Sequence, residues 1–385
     1  MKLLRRRIQS ISKTLDFIFM LTSLDTTSNK VIEFDTINFI NEDDNNYFKL
    51  TSSAYDNRSI SVLFPIKPYQ DYDGQDFSCH AFYSKKFYKE NDIYQIYDKG
   101  SNIRIGWLFP IQALISNDHS YADNKHFLKY AYIAFKLLLI KNSNCPTNKI
   151  SLLENDIELN LDDIFNASII ILCVCKNQTD QIENFDIENY LPSLYYNEYF
   201  YLNEIINISA ISFENDFTHD FVEVKKIRPI KSDLINESYI KELFKSYLNI
   251  NQHPLVKFHL IYQIIELLIE KIFKTEMMNI IQNAHNKEPY DLKVEISKIS
   301  IELNRIEKIF DGNHSFPENK DVYKALFDSF LSIFNKVEST LPASIYTTRN
   351  VLVHQYRTLI NNGLTNRVDE VNKTFEEIII SLITV

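Results

Sequence analysis

Pro254-Leu255-Val256-Lys257-Phe258-His259-Leu260-Ile261-Tyr262-Gln263-Ile264-Ile265-Glu266-Leu267-Leu268-Ile269-Glu270-Lys271-Ile272-Phe273-Lys274 reads as one helix, apolar on nearly every side. Proline suits a first turn, where its missing N–H leaves no hydrogen bond unmade. A helix that buries one stripe needs about half as many apolar residues. A second surface must therefore cover this one, either further helices of a larger bundle or a second copy of the chain. Helical period continues over 237–248, 291–309, 320–338, 343–361 and 367–383. Asn319 or Asp321 precedes the segment at 320, Pro342 fits the first turn of the segment at 343, and Gly363 is placed to end that helix. Residues 231–385 therefore read as an all-α helical bundle.

Ahead of this region the texture differs. From about Val31 to Val224 short β-rich runs alternate with turn-forming clusters: Val31-Ile32-Glu33-Phe34, Tyr47-Phe48-Lys49-Leu50, Ser59 to Phe64, Ile103 to Phe109 and Ala167 to Cys175. One amphipathic helix, expected over 124–141, interrupts them. Residues 1–230 read as an α+β domain with a mostly antiparallel sheet. The junction near 226–236 is marked only by a change of composition. The basic start from Lys2 to Arg7 leads into a stretch broken by Gln9, Ser10, Lys13 and Asp16, which predicts an amphipathic helix ending near Leu24 rather than a secretory leader. No run reaches the roughly 18 apolar residues of a membrane span, so a cytoplasmic protein without membrane contact is expected.

The chain has 385 residues, 45% of them hydrophobic, and a formal charge of −10, which supports two buried cores. Residues 251–385 carry 15 Lys and Arg against 17 Asp and Glu, which leaves −8 on residues 1–250. The front part is thus a poor general polyanion binder, and nucleic acid must be met by a local basic patch in the C-terminal part. Five scattered glycines exclude a glycine-rich phosphate cradle. The histidines show no HxH, HExxH or Cys/His spacing, so no metal site is expected. Cys173-Val174-Cys175 lies in an apolar run; its thiols are expected to diverge and, like Cys79 and Cys145, to be free in a reducing cytosol. Tyr195-Tyr196 and Tyr199-Phe200-Tyr201 read as core or protein contact rather than as a base-stacking platform.

Near the C-terminus Arg349-Asn350-Val351-Leu352-Val353-His354 is followed one turn on by Arg357. Histidine moves a proton near pH 7, and arginine holds the charge of an in-line phosphoryl transition state. In a regular helix at ~100° per residue Arg349 and His354 diverge by roughly 140°, whereas Asn350, His354 and Arg357, spaced by four and three, share a face. A two-fold axis beside that face would gather two histidines and up to four arginines about one groove. Glu266 either pairs with an arginine of this set or snorkels to solvent, and His259 reads as a packing or dimer contact.

The pairing of Lys257-Phe258-His259-Leu260-Ile261-Tyr262-Gln263-Ile264-Ile265-Glu266 on a long apolar helix with Arg349-Asn350-x-x-x-His354 on a later one resembles the HEPN superfamily. The resemblance covers about 237–385. It implies a HEPN-like bundle acting as a metal-independent, cofactor-free endoribonuclease, an abortive-infection toxin of antiphage defence whose active site forms at a homodimer interface. Arg349, His354 and Asn350 match its catalytic motif, with Tyr262 and Glu266 in support and Arg357 holding the flanking RNA backbone. The expected reaction is attack by a ribose 2′-OH, leaving a 2′,3′-cyclic phosphate. RNA, with tRNA among the candidates, is then the partner, and the front domain senses a phage-encoded trigger. The alternative is a non-catalytic dimeric HEPN-like module that recognises a nucleotide or a protein ligand.

Overall fold

The computed structural model describes residues 22–25, 30–42, 45–53, 58–66, 72–86, 88–140, 150–152, 157–202, 223–250, 252–311 and 319–385. The chain divides into two compact units, residues 1–187 with 197–228, and residues 188–196 with 229–385.

The first unit is rich in sheet. Its strands are β1 Thr22–Asp25, β2 Lys30–Glu33, β3 Thr36–Glu42, β4 Asn45–Ser52, β5 Arg58–Leu63, β6 Phe77–Tyr83, β7 Tyr94–Asp98, β8 Arg104–Pro110, β9 Ile150–Leu152, β10 Ile157–Leu159, β11 Ile169–Cys175, β12 Phe200–Tyr201 and β13 Val224–Ile227. They form sheets in the orders β2-β1-β9, β10-β5-β4-β3 and β12-β6-β11-β8-β7-β13. Pairing is mostly antiparallel; β1 with β9, β5 with β10 and β7 with β13 are parallel. Thr22–Asp25 is a strand, which corrects the expectation of helix as far as Leu24; the rest of that expectation lies outside the described residues.

The one long helix described in this unit, α1 Lys125–Leu139, starts where the sequence predicts, with the Asn124 side chain accepting from the N–H groups of His126 and Phe127. Its polar residues Lys125, His126, Lys129 and Lys136 keep one narrow face, as an amphipathic helix does, while Phe127, Leu128, Tyr130 to Phe135 and Leu137 to Leu139 are all buried. Tyr132 and Phe135 pack on Phe48 of the four-stranded sheet, while Phe127 and Tyr130 meet Trp107 and Phe77 of the six-stranded one. The helix is a middle layer between two sheets, so a single apolar stripe does not suffice.

β11 is buried at every position, as a central strand should be. Cys173 and Cys175 are two apart on it and therefore share a face, which corrects the expectation that they diverge. Both are free and buried, as is Cys79 opposite Cys173. Burial pushes the Cys173 thiol up, away from thiolate chemistry. Cys145 lies outside the described residues. Tyr199 is buried within this unit, whereas Tyr195 is buried in the other.

The second unit is helical: α2 Pro254–Asn283, α3 Pro289–Ser300, α4 Glu302–Asp311, α5 Lys320–Ser332, α6 Leu341–His354, α7 Tyr356–Asn361 and α8 Thr365–Ile383. The α2 helix is its axis and touches α3, α4, α6 and α8. Phe258 and Tyr262 of α2 stack with Phe375 of α8, which Phe327 of α5 meets edge-on. Residues 188–196 belong here too: Glu188 pairs with Lys245 at 2.7 Å, and Tyr195 Oη donates to Glu376 at 2.9 Å. Among the described residues no helix is long and apolar enough to cross a membrane.

Three expected helices are broken. The segment 291–309 turns at Ile301, where ψ is 119°, and the Lys298 carbonyl accepts from the Ile301 N–H at 3.4 Å and from Asn304 Nδ2 at 3.2 Å. The segment 320–338 ends at Ser332, because Asn335 takes φ 54° and the N–H groups of Asn335 and Lys336 close back on Ser332 and Leu331. The segment 343–361 breaks at Gln355, with φ −115° and ψ 25°. The same C-terminal motif ends α7, where Gly363 at φ 63° and Leu364 donate to the carbonyls of Ile360 and Leu359. A Cβ at Gly363 meets nothing within 4 Å. Gly363→Ala is therefore expected to destabilise the second unit by about 1 kcal/mol through backbone strain alone, read by denaturant unfolding; an unchanged midpoint would contradict the left-handed end.

Candidate active site

Tyr262 anchors the site. It is 1% exposed, and its phenol donates to Glu302 Oε1 on α4 at 3.2 Å. Burial, with Glu302 adding to it, pushes its pKa up, so it stays a neutral phenol. Its ring is a platform for α6: the guanidinium carbon of Arg349 stands 5.7 Å from the ring centroid. Glu266 Oε1 lies 3.8 Å from Arg349 Nη2, and Gln263 Nε2 donates to the other carboxylate oxygen at 2.8 Å. Asn350 Oδ1 accepts from Arg349 Nη1 at 3.1 Å. Glu266 thus stands beside the motif arginine but is part-exposed, between the paired acid and the surface acid that the sequence offered. The pair is loose, its side chains 28% and 38% exposed, so it contributes at most about 1 kcal/mol. Arg349 is oriented while most of its five donors are left for a ligand.

His259 joins this group, although the sequence suggested packing or a dimer contact. Burial and then Arg349 lower its pKa, against an opposing effect of Glu266, which keeps the imidazole neutral at neutral pH. Its link to Tyr262 and Glu266 was legible in the spacing of three and four along one helix face.

His354 is the last residue of α6; it is exposed and makes no hydrogen bond or ion pair with any described residue. The final bond of the α6 ladder runs from Gln355 N–H to Val351 O at 2.8 Å, and the backbone then leaves the helix. Arg357 consequently sits on α7, exposed and likewise without a partner among the described residues. The expected common face of Asn350, His354 and Arg357 is thus corrected: no helical ladder runs unbroken from His354 to Arg357, and Asn350 is turned to Arg349. Val353, Tyr356 and Ile360, 42%, 50% and 47% exposed, flank the two free side chains. Two concavities of the unit, one lined by Glu307, Lys320 and Lys324 and one by Glu276, Lys287 and Glu295, hold none of these residues.

No family model, curated protein or solved structure matches the chain. What the site can do follows from its own side chains. A guanidinium steadied on a phenol ring and only loosely paired can receive a phosphate through parallel N–H donors. An open imidazole at a helix end can carry a proton to or from a bound ribose or phosphate ester. Among the described residues no group of three His, Cys, Asp or Glu is arranged to hold a metal ion.

Proposed function

We propose that the second unit is a HEPN-like, metal-independent endoribonuclease, an effector of antiphage abortive infection that acts on RNA in the cytoplasm as a homodimer. The observation that carries this reading is the division of labour around α6: Arg349 is held by Tyr262, Glu266 and Asn350, while His354 and Arg357 are exposed and unpaired beside exposed Val353, Tyr356 and Ile360. An isologous contact over those apolar side chains would set each His354 against its twin and enclose an otherwise open site.

In this mechanism His354 of one copy takes the proton of a ribose 2′-OH, and the 2′-oxygen attacks the adjacent phosphorus. Arg349 holds the charge of the pentacovalent phosphorane, and the 5′-oxygen leaves with a proton from the second copy's His354. The products end in a 2′,3′-cyclic phosphate and a 5′-hydroxyl. Arg357 grips the flanking backbone as a phosphate contact.

The full chain is incubated with tRNA in EDTA, beside an all-deoxy oligonucleotide. RNA cut to cyclic-phosphate ends, intact DNA, and a rate about 10²–10⁴-fold lower in His354→Ala are the expected results. Equal rates in His354→Ala, or an active monomer by ultracentrifugation, would overturn the proposal. Ligand retention without cutting would transfer the site to a binding module.

A further inference from the structure

Away from the motif, the first unit sets two hydrogen-bond donors, an indole and a guanidinium, against one imidazole. Trp107 on β8 donates its indole N–H to His126 Nδ1 at 3.1 Å, at the start of α1. Arg104, three residues earlier on β8, puts Nη2 2.6 Å from His126 Nε2. Indole and guanidinium are donors only, whereas a neutral imidazole has one N–H and one lone pair. If Nδ1 accepts from Trp107, then Nε2 carries the proton and points it at a guanidinium donor; the other tautomer sets two N–H groups against each other at Trp107. Neither form satisfies both neighbours.

Among the described residues the guanidinium is otherwise met by amides. Nη1 donates to Gln95 Oε1 at 3.4 Å, and Nη2 to the Gln178 amide oxygen at 3.1 Å, in the orientation that lets the Gln178 nitrogen donate to Tyr130 Oη and Arg104 O. Nε is buried without a partner. Among the described residues no carboxylate acts on His126: after burial, the charges that depress its pKa are Arg104 on β8 and Lys129 on α1. Lys129 is itself poised over the rings of Tyr72 and Phe77, at 5.7 and 5.2 Å. In a chain whose residues 1–250 sum to −8, this is a local excess of positive charge that no acid among the described residues answers. His126 is exposed and Arg104 partly so, which leaves the spot open to solvent.

We propose that Arg104 and His126 form a binding site for a phosphate group, whose oxygens accept from Arg104 Nη2 and His126 Nε2 and so separate two donors that face each other in the free protein. A dianion suits it better than a carboxylate, because two fixed cations and a protonatable ring converge there. The site lies outside the nuclease motif and stands or falls independently of it. Binding favours imidazolium, so the bound state holds His126 at a higher pKa than the free state. Affinity therefore rises as pH falls through the interval between the two.

Trp107 is the single tryptophan of the chain and is bonded to His126, so intrinsic fluorescence reports on the site directly. The full chain is titrated with inorganic phosphate, a nucleoside monophosphate, acetate and chloride at constant ionic strength, and with sulfate, which does not titrate in this range, from pH 8 to pH 6. The expected result is a saturable response to phosphate and sulfate, strengthening toward pH 6 for sulfate, whose charge is fixed there, and weakened about tenfold or more in Arg104→Ala and His126→Gln and less in Arg104→Lys. Tighter binding of the nucleoside monophosphate assigns the phosphate to a nucleotide; equal binding assigns it to the free anion. The proposal is overturned if the response is absent, is matched by acetate or chloride, or is unchanged in the variants. Should Arg104→Ala fail to fold by circular dichroism, unchanged affinity in His126→Gln and Arg104→Lys overturns it equally.

Discussion

Arg349→Ala is expected to slow RNA cleavage by about 10²–10³-fold in single-turnover assays in EDTA, the range lost when a donor aimed at developing oxyanion charge is removed. Its stability should change little, because the pair with Glu266 is long and half-exposed and the stack on Tyr262 is one cation–π contact. Arg349→Lys should restore little of the rate, since an ammonium cannot present parallel donors to a phosphoryl group. Glu266→Gln leaves the guanidinium on its ring and should lose far less. A rate in Arg349→Ala equal to that of the wild type, at equal thermal stability, would remove this residue from the reaction.

Gly106→Ala is expected to unfold the sheet-rich unit, with a loss above about 4 kcal/mol. A Cβ there would lie 2.0 Å from the Cys173 carbonyl oxygen and 3.1 Å from Val174 Cα, and both are backbone atoms of β11. That strand is buried throughout and paired on both edges, by β6 and β8, so it cannot withdraw. Gly106 also sits where the β7–β8 register slips between Ile96 and Tyr97, a usual place for a residue without a side chain. Thermal unfolding followed by Trp107 fluorescence reports this unit, while far-UV circular dichroism follows the helices as well. A midpoint within a few degrees of the wild type would show that β8 and β11 can separate more easily than their contacts imply.

Much of the architecture was legible because it rests on local periodicity. The apolar run from Leu255 to Phe273, the start of α1 near Asn124 and the turn at Gly363 each rest on signals within a few residues. The interruptions at Ile301, Asn335 and Gln355 were harder to see. Asn335 belongs to a residue type that enters the left-handed region readily, but the helical period of the sequence runs through it. At Ile301 the Lys298 carbonyl also accepts from the Asn304 side chain, which lies beyond the break. In the site, Arg349, Asn350, Tyr262 and Glu266 could be named from the chain, and their meeting depends on α6 crossing α2. His259 was missed as a member because a lone histidine on an apolar helix is more often packing.

By itself the sequence determined the two textures, the positions of most helices and strands, and the presence of an arginine–histidine pair near the end of a helical region, since these follow from side-chain period and capping within a few residues. Tertiary structure alone decided that α1 is buried between two sheets, that residues 188–196 belong with the helices, that Tyr262 carries Arg349, and that Arg104 and Trp107 converge on His126. Those outcomes depend on which distant surfaces exclude water together, and the free energy of that choice is shared among residues far apart in the chain.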